Sequence, residues 1–236
     1  MFSDHLAGLN PEQLRAVTLG AGSALVLAGA GSGKTRVLTT RIAWLIANQR
    51  AMAANIMAVT FTNKAAREMH TRLSAMLPLN PRGMWIGTFH GLANRFLRAH
   101  WRDAGLPQTF TILDMQDQLA AIKRLMKALQ VSDEKFPPRQ VQAFINNHKE
   151  QGLRAEALKP YDAFNAKLTE LYAAYDAQCR REGVVDFAEL LLRSYEMLNS
   201  NEALREHYLA RFSHILVDEF QDTNKLQYAW LCLFAG

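Results

Sequence analysis

The run Ala28-Gly29-Ala30-Gly31-Ser32-Gly33-Lys34-Thr35 puts a glycine at every second position and closes on a lysine and a hydroxyl. An apolar run, Ala24–Ala28, precedes it and reads as a strand. A helical pattern follows over Lys34–Gln49, with Leu38, Ile42, Leu45 and Ile46 on one face. Strand, glycine loop and helix are the context a phosphate cradle needs. Backbone N–H groups can curl round phosphate oxygens only where side chains do not block the approach. The helix N-terminus adds further donors and the positive end of its dipole. Lys34 can reach the β- and γ-phosphates, and the Thr35 hydroxyl can serve Mg2+. The strict GxxxxGK[ST] spacing starts on glycine, whereas Ala28 stands first here. The rival dinucleotide fingerprint, GxGxxG, meets Gly29 and Gly31 but finds Lys34 where its third glycine belongs. It also lacks an acid after the second strand, where Thr60 and Thr62 stand.

The remaining pattern predicts an α/β fold. Ile56–Thr60, Met84–Thr88 and Thr109–Leu113 read as buried strands, separated by helical stretches over Asn63–Leu77 and His90–Trp101. Such βαβα order predicts a parallel sheet covered by helices. From Asp114 to about Gly183 no strand is legible, only helical stripes such as Leu119, Ile122, Leu125 and Leu129. Asp114 with Asp117, and Asp186 with Glu189, look like helix-opening boxes. The expected layout is an α/β domain of residues 1–112 and 186–236 with an all-helical insertion over 113–185. A compact apolar strand over His214–Val217 and a helix over Thr223–Phe234 close the chain.

With 236 residues, 49% apolar and 21% charged, the chain can bury an ordinary core without staples. The net charge of +5 leans only weakly towards an anionic partner. No apolar run approaches the roughly 18–20 residues of a membrane span, so no membrane partner is expected. The start, MFSDHLAGLNPEQ, lacks signal-peptide character. Cys179 and Cys232 form no CxxC pair, which fits a reducing cytoplasm and argues against a disulfide framework or zinc site.

Asp218 and Glu219 end the His214–Val217 strand. Alone, two acids after a strand are ordinary solvated groups. Paired with the glycine loop they suit nucleotide hydrolysis, with Asp218 holding Mg2+ and Glu219 polarising water as general base. Asp222 reads as a helix cap or structural partner, and Gln221 as either a γ-phosphate sensor or a backbone ligand.

In order along the chain stand Gln13 in LNPEQLRAV, then AGAGSGKTR, AVTFTNKAAREM, GTFHGLANRFLR and VDEFQDTN. With these motifs the sequence resembles superfamily 1A DNA helicases, the UvrD/Rep/PcrA family, and its inserted segment is most like the UvrD branch. The resemblance implies a RecA-like phosphate-loop fold and an ATP-driven, DNA-dependent ATPase that moves 3′ to 5′ on single strands and parts duplexes in DNA repair. It implies that ATP and Mg2+ are held by Gln13 at the adenine, Arg36 near base or ribose, and the loop Ala28, Gly29, Ala30, Gly31, Ser32 and Gly33. Lys34, Thr35, Asp218 and Glu219 would carry the phosphate, metal and base roles. For DNA it implies Phe61, Thr62 and Asn63 and then Thr88, Phe89 and His90, an aromatic for stacking with polar groups for phosphate. Taken singly these have plainer readings: Phe61 as core, Thr62 or Asn63 as a cap, and His90 as a turn histidine. Lys64, Arg67, Arg95 and Arg98 are candidate strand-tracking cations or solvated helix faces, and Trp85 and Trp101 read as core.

The resemblance further implies single-stranded DNA and its junctions with duplex as partners, with repair proteins and self-association for a full-length enzyme. The family continues past the acidic motif into a second motor domain. The expectation is therefore an N-terminal region that alone binds nucleotide weakly, hydrolyses it poorly and unwinds nothing. Two other readings stand beside it: a helicase-like subunit of a nuclease complex, and a nucleotide or single-strand binding module without motor activity.

Overall fold

The computed structural model describes residues 3–20, 22–29, 31–78 and 81–236, without the side chains of Ser3, Asp4 and Arg82. Among the described residues the chain forms two compact units. The first runs to Leu92 and takes in Ala203–Asp222 and Phe234–Gly236; the second comprises Ala93–Glu202 and Thr223–Leu233.

The chain opens with α1 (Ser3–Ala7), α2 (Pro11–Thr18) and α3 (Lys34–Ala47). Next come β1 (Ile56–Thr60), α4 (Asn63–Met76), β2 (Trp85–Thr88) and α5 (Phe89–Ala99). β3 (Thr111–Leu113) leads into α6 (Met115–Ala128), α7 (Pro138–Glu150) and α8 (Ala163–Glu182). β4 (Val184–Asp186), α9 (Phe187–Ser200), α10 (Glu202–Arg211), β5 (His214–Val217) and α11 (Lys225–Ala235) complete the order.

In the first unit β2, β1 and β5 form a parallel sheet with β1 in the centre. All five residues of β1 are buried, which suits a strand packed on both faces. Its register sets Thr60 beside Thr88 and Val59 beside Val217. Ile42, Ala43 and Leu45 of α3 share a core with Met69 and Leu73 of α4 and with Ile56 and Ala58 of β1. These helices sit where the apolar spacing places them, because each stripe has this core to cover.

The segment Ala24–Ala28 departs from expectation. It forms no strand, and Leu25, Val26 and Leu27 are exposed. Among the described residues β5 pairs with β1 alone. A strand gains its hydrogen bonds only from a neighbour, and no described strand lies beside this run.

In the second unit β3 and β4 pair in parallel, Ile112 beside Val185. β4 is too short to read in the sequence, and α10 is likewise not legible there. Between the two strands lie α6, α7 and α8, sharing a core of Ile122, Leu125, Val141, Ile145, Leu168 and Leu171. α9 packs on α7 in this same unit. The units thus divide at Leu92 and Glu202, whereas the sequence pattern divides at 112 and 185.

The structure caps three helices with aspartates, at Asp114 and Asp186 as the sequence signals and at Asp162 besides. Asp114 accepts from the N–H of Gln116 and Asp117, Asp162 from Asn165, and Asp186 from Glu189. Glu189 does not complete a box. Its carboxylate joins a buried ion cluster in which Lys149 contacts Asp176, Asp186 and Glu189, each at 2.9 Å. Arg154 adds two hydrogen bonds to Glu189, at 2.7 and 2.9 Å.

Candidate functional site

Parallel pairing brings the C-terminal ends of β1, β2 and β5 to one edge of the sheet. Binding residues collect at such an edge because the connecting loops start there. Phe61–Asn63 follow β1, Phe89 and His90 follow β2, and Asp218 and Glu219 follow β5.

Thr35, the second residue of α3, donates its hydroxyl to Asp218 Oδ2 at 3.1 Å. Asp218 is 5% exposed, and its N–H extends the ladder to Val59 O at 2.9 Å. Burial pushes its carboxyl above the ordinary value, the Glu219 charge pushes the same way, and the Thr35 hydroxyl and Lys34 oppose them.

Gly31 (φ +75°) and Gly33 (φ +83°) hold left-handed backbone that a side chain would strain. Ser32 Oγ donates to Gly29 O at 2.7 Å. Lys34 Nζ donates to Ala28 O at 3.1 Å and Gly29 O at 3.3 Å, folding the ammonium onto its own loop. Ala30 lies outside the described residues.

Gln13 is held by backbone at both ends of its amide. Oε1 accepts from Asn10 N–H at 3.0 Å, while Asn10 Oδ1 accepts from Gln13 N–H at 2.8 Å, a reciprocal capping box at the start of α2. Gln13 Nε2 donates to Ser32 O at 2.9 Å. Asn10, Gln13, Val26, Leu27, Ser32 and Lys34 border a pocket of about 140 Å³. Arg36 is exposed, with its guanidinium beside Gly8. The box was readable in Asn10-Pro11-Glu12-Gln13; the Ser32 contact was not, since nothing local links the two.

Glu219 has φ +50°, unusual for a residue with a side chain. Its carboxylate accepts from Gln221 Nε2, which makes Gln221 a partner of Glu219 here. Asp222 is exposed and its N–H donates to Glu219 O at 2.9 Å. The box that opens α11 is Asn224 with Gln227, in place of a cap by Asp222.

The expected DNA residues separate by burial. Phe61 is half-buried and meets Phe89 edge-on, ring centroids 5.3 Å apart. Phe89 is only 1% exposed, so its ring backs Phe61 and offers no face to a ligand. Thr62 caps α4 by accepting from Ala65 N–H at 3.1 Å, and Asn63 starts that helix exposed. The Thr88 hydroxyl accepts from Gly91 N–H at 3.0 Å. His90 is half-buried, and burial pushes its imidazole below the ordinary value.

Lys64 and Arg67 are exposed on α4. Arg95 and Arg98 are exposed in the second unit, where Arg98 lies 3.5 Å over the Phe110 ring. Trp85 is core, packed on Tyr208 and Phe212. Trp101 is half-buried, with the Arg102 guanidinium over its ring. No described helix is long and apolar enough to cross a membrane.

The family model of the UvrD/REP helicase N-terminal domain matches residues 9–236. DNA helicase II of Escherichia coli (strain K12) is 51% identical over 232 residues, covering 98% of this chain and 32% of that protein. DNA helicase II of Haemophilus influenzae is 52% identical over 240 residues, covering all of this chain and 33% of that protein. ATP-dependent DNA helicase PcrA of Bacillus subtilis is 39% identical over 225 residues, 94% of this chain and 30% of that protein. The chain spans about a third of the length of the curated relatives it matches.

Proposed function

The chain belongs to the UvrD/REP helicase family, and from that premise we propose that it forms the ATP- and single-strand-binding region of an ATP-dependent 3′-to-5′ DNA helicase. The unit that carries the glycine loop is then a RecA-like phosphate-loop domain, and the segment around α6–α8 is its helical insertion. The observation that carries this reading is the Thr35–Asp218 hydrogen bond. It gathers a hydroxyl and a carboxylate oxygen beside the loop, a hard-oxygen donor set that suits Mg2+ completed by phosphate oxygens and water.

Each residue then has a role that its chemistry can fill. Gln13 reads adenine. A side-chain amide has two acceptor sites and two N–H donors. The bonds to Asn10 and Ser32 use one of each, leaving a lone pair on Oε1 and an N–H on Nε2 for the N6/N7 edge. Arg36 lies near base or ribose. The loop from Ala28 through Gly33 wraps the phosphates, and Lys34 exchanges the Ala28 and Gly29 carbonyls for phosphate oxygens. Thr35 and Asp218 hold the metal, which neutralises charge on those oxygens when bound. Glu219 orients a water and takes its proton. A module that only bound nucleotide would need no such base.

On the DNA side Phe61 stacks on a base without reading its identity. Thr62, Asn63, Thr88 and His90 bond the backbone, which positions the strand. Phe89 supports Phe61. Single-stranded DNA and its junctions with duplex are the substrates, and excision or mismatch repair in the cytoplasm is the setting. Hydrolysis drives translocation and duplex separation.

DNA-stimulated phosphate release by the helicase, compared with its Lys34→Ala variant, tests the proposal. The variant should lose nearly all turnover, a drop of about 10²-fold or more, because a charge that acts on the transferring phosphoryl group is removed. Full turnover by the variant overturns the loop assignment.

A further inference from the structure

We propose that Arg41 is a positioning residue for base recognition: it clamps the carbonyl end of α2 and so holds the Gln13 amide in register with the glycine loop. This rests on the reading of Gln13 as the adenine contact.

Arg41 lies seven residues beyond Lys34 on α3, two helical turns or about 10 Å from the loop. Its Nη1 faces the carbonyl oxygens of Leu19 at 2.8 Å, Val17 at 3.1 Å and Ala16 at 3.4 Å. These are carbonyls of the last turn and C-cap of α2, groups that no further helical N–H can reach. A guanidinium there also faces the negative end of the helix dipole. Burial lowers the Arg41 pKa, with no acid among the described residues pulling it back up. Its charge is felt by His214 instead, whose imidazole is pushed down by burial and by Arg41. The interaction partners of this arginine are therefore chiefly backbone carbonyls of one short helix.

α2 has only eight residues, too few to hold its direction unaided. It is tied to the loop and α3 at both ends, through Gln13 to Ser32 at its start and through Arg41 at its finish. The first tie runs to the glycine loop and the second to α3, the helix that follows this loop and carries Lys34 and Thr35. Without Arg41 three carbonyls lose a donor, and the packing of Val17 and Ala16 is left to hold this end of α2 against α3, so the helix shifts about the Gln13 end. The Gln13 amide then no longer meets the adenine edge squarely. The side chains of Lys34 and Thr35 bond Ala28, Gly29 and Asp218 and not α2, so the grip on phosphate should survive.

The test is competition binding on this chain, displacing a fluorescent ATP analogue with ATP, GTP and inorganic tripolyphosphate, for wild type, Arg41→Met, Arg41→Lys, Gln13→Ala and the double variant Gln13→Ala/Arg41→Met. Arg41→Met should lower the ATP-to-GTP affinity ratio about tenfold, the scale of a hydrogen bond to a charged group, and leave tripolyphosphate affinity unchanged. Arg41→Lys should fall between, since an ammonium supplies charge without the planar fork. The double variant should match Gln13→Ala, because both changes break one chain of contacts. Equal loss of all three ligands in Arg41→Met would mark a merely structural role and overturn the proposal. A wild-type ratio in Arg41→Met, with the ratio lost in Gln13→Ala, overturns the clamp alone. A wild-type ratio in Gln13→Ala overturns the adenine reading and the clamp with it. If Arg41→Met does not fold by circular dichroism, Arg41→Lys decides, on the same ratio.

Discussion

The hydroxyl of Thr35 and the carboxylate of Asp218 lie in hydrogen-bond contact across 183 positions of sequence. Their contact places the start of α3 against the end of β5, and a metal bound there would exchange that hydrogen bond for two ligand bonds.

Asp218→Asn keeps an acceptor for Thr35 and removes the charge. Burial holds the Asp218 carboxyl above its ordinary value of 3.8, so the folded state takes up a proton more readily than the unfolded one. This contribution to stability therefore falls as pH rises from 3.8 through the raised value, and at neutral pH the ionised carboxylate opposes folding. The asparagine variant should melt about 2–4 °C higher, a gain of about 1 kcal/mol. Its ATP affinity in Mg2+ should drop about tenfold or more, with little change in EDTA. A variant that melts lower and binds Mg-ATP normally would contradict both halves.

Glu219 holds φ +50°, which costs a residue with a side chain about 1–2 kcal/mol. Glu219→Gln keeps the strain and loses the base; single-turnover hydrolysis should fall about 10²–10⁴-fold with ATP affinity intact. Glu219→Gly should lose hydrolysis equally yet resist urea better, by about 1 kcal/mol. Stability unchanged in the glycine variant would show that the left-handed backbone carries no strain.

Phe61 and Phe89 touch, but their exposure assigns them different work. Phe61→Ala should weaken binding of an oligo-thymidine strand about tenfold, the worth of one stacked base. Phe89→Ala should lower stability by about 3–5 kcal/mol through the cavity it leaves. Fluorescence anisotropy and urea unfolding separate the two effects. An exchange of phenotypes between the variants would defeat the assignment.

In the second unit Lys149 is 1% exposed among three carboxylates. Lys149→Met leaves buried acids without their cation and should destabilise the unit by about 3–5 kcal/mol. Burial pushes the Glu189 carboxyl up, but Lys149 and Arg154 more than offset this and hold it well below its ordinary 4.5. Its contribution is fully present above pH 4.5 and is lost as pH falls below that value. Urea unfolding from pH 3 to 6 should show this slope, and Glu189→Gln should flatten it. An unchanged slope in that variant would remove Glu189 as its source.

Much of this architecture was legible locally. The stripes of α3, α4, α6 and α8 and the runs of β1, β2 and β5 carry their periodicity in consecutive residues. The caps at Asp114 and Asp186 are readable because a cap bonds within three residues. β4 is not legible because three residues show no period, nor is α10, in which only Tyr208 is buried. Ala24–Ala28 departs in the other direction: it has strand composition, but composition supplies no partner strand. The boundaries at Leu92 and Glu202 rest on which helices pack together, and no local signal carries that.

For the candidate site, two local patterns point to the expected residues: the glycine loop closing on Lys34 and Thr35, and the pair Asp218-Glu219 at the end of an apolar strand. Only tertiary structure could set Thr35 against Asp218, Gln13 against Ser32, and Arg41 against the end of α2. It also buried Phe89 while leaving part of Phe61 open. The physical reason is range. Turns, caps and amphipathic faces arise from neighbours a few residues apart, whereas exposure and long-distance hydrogen bonds depend on how the sheet and helices pack, which no single segment encodes.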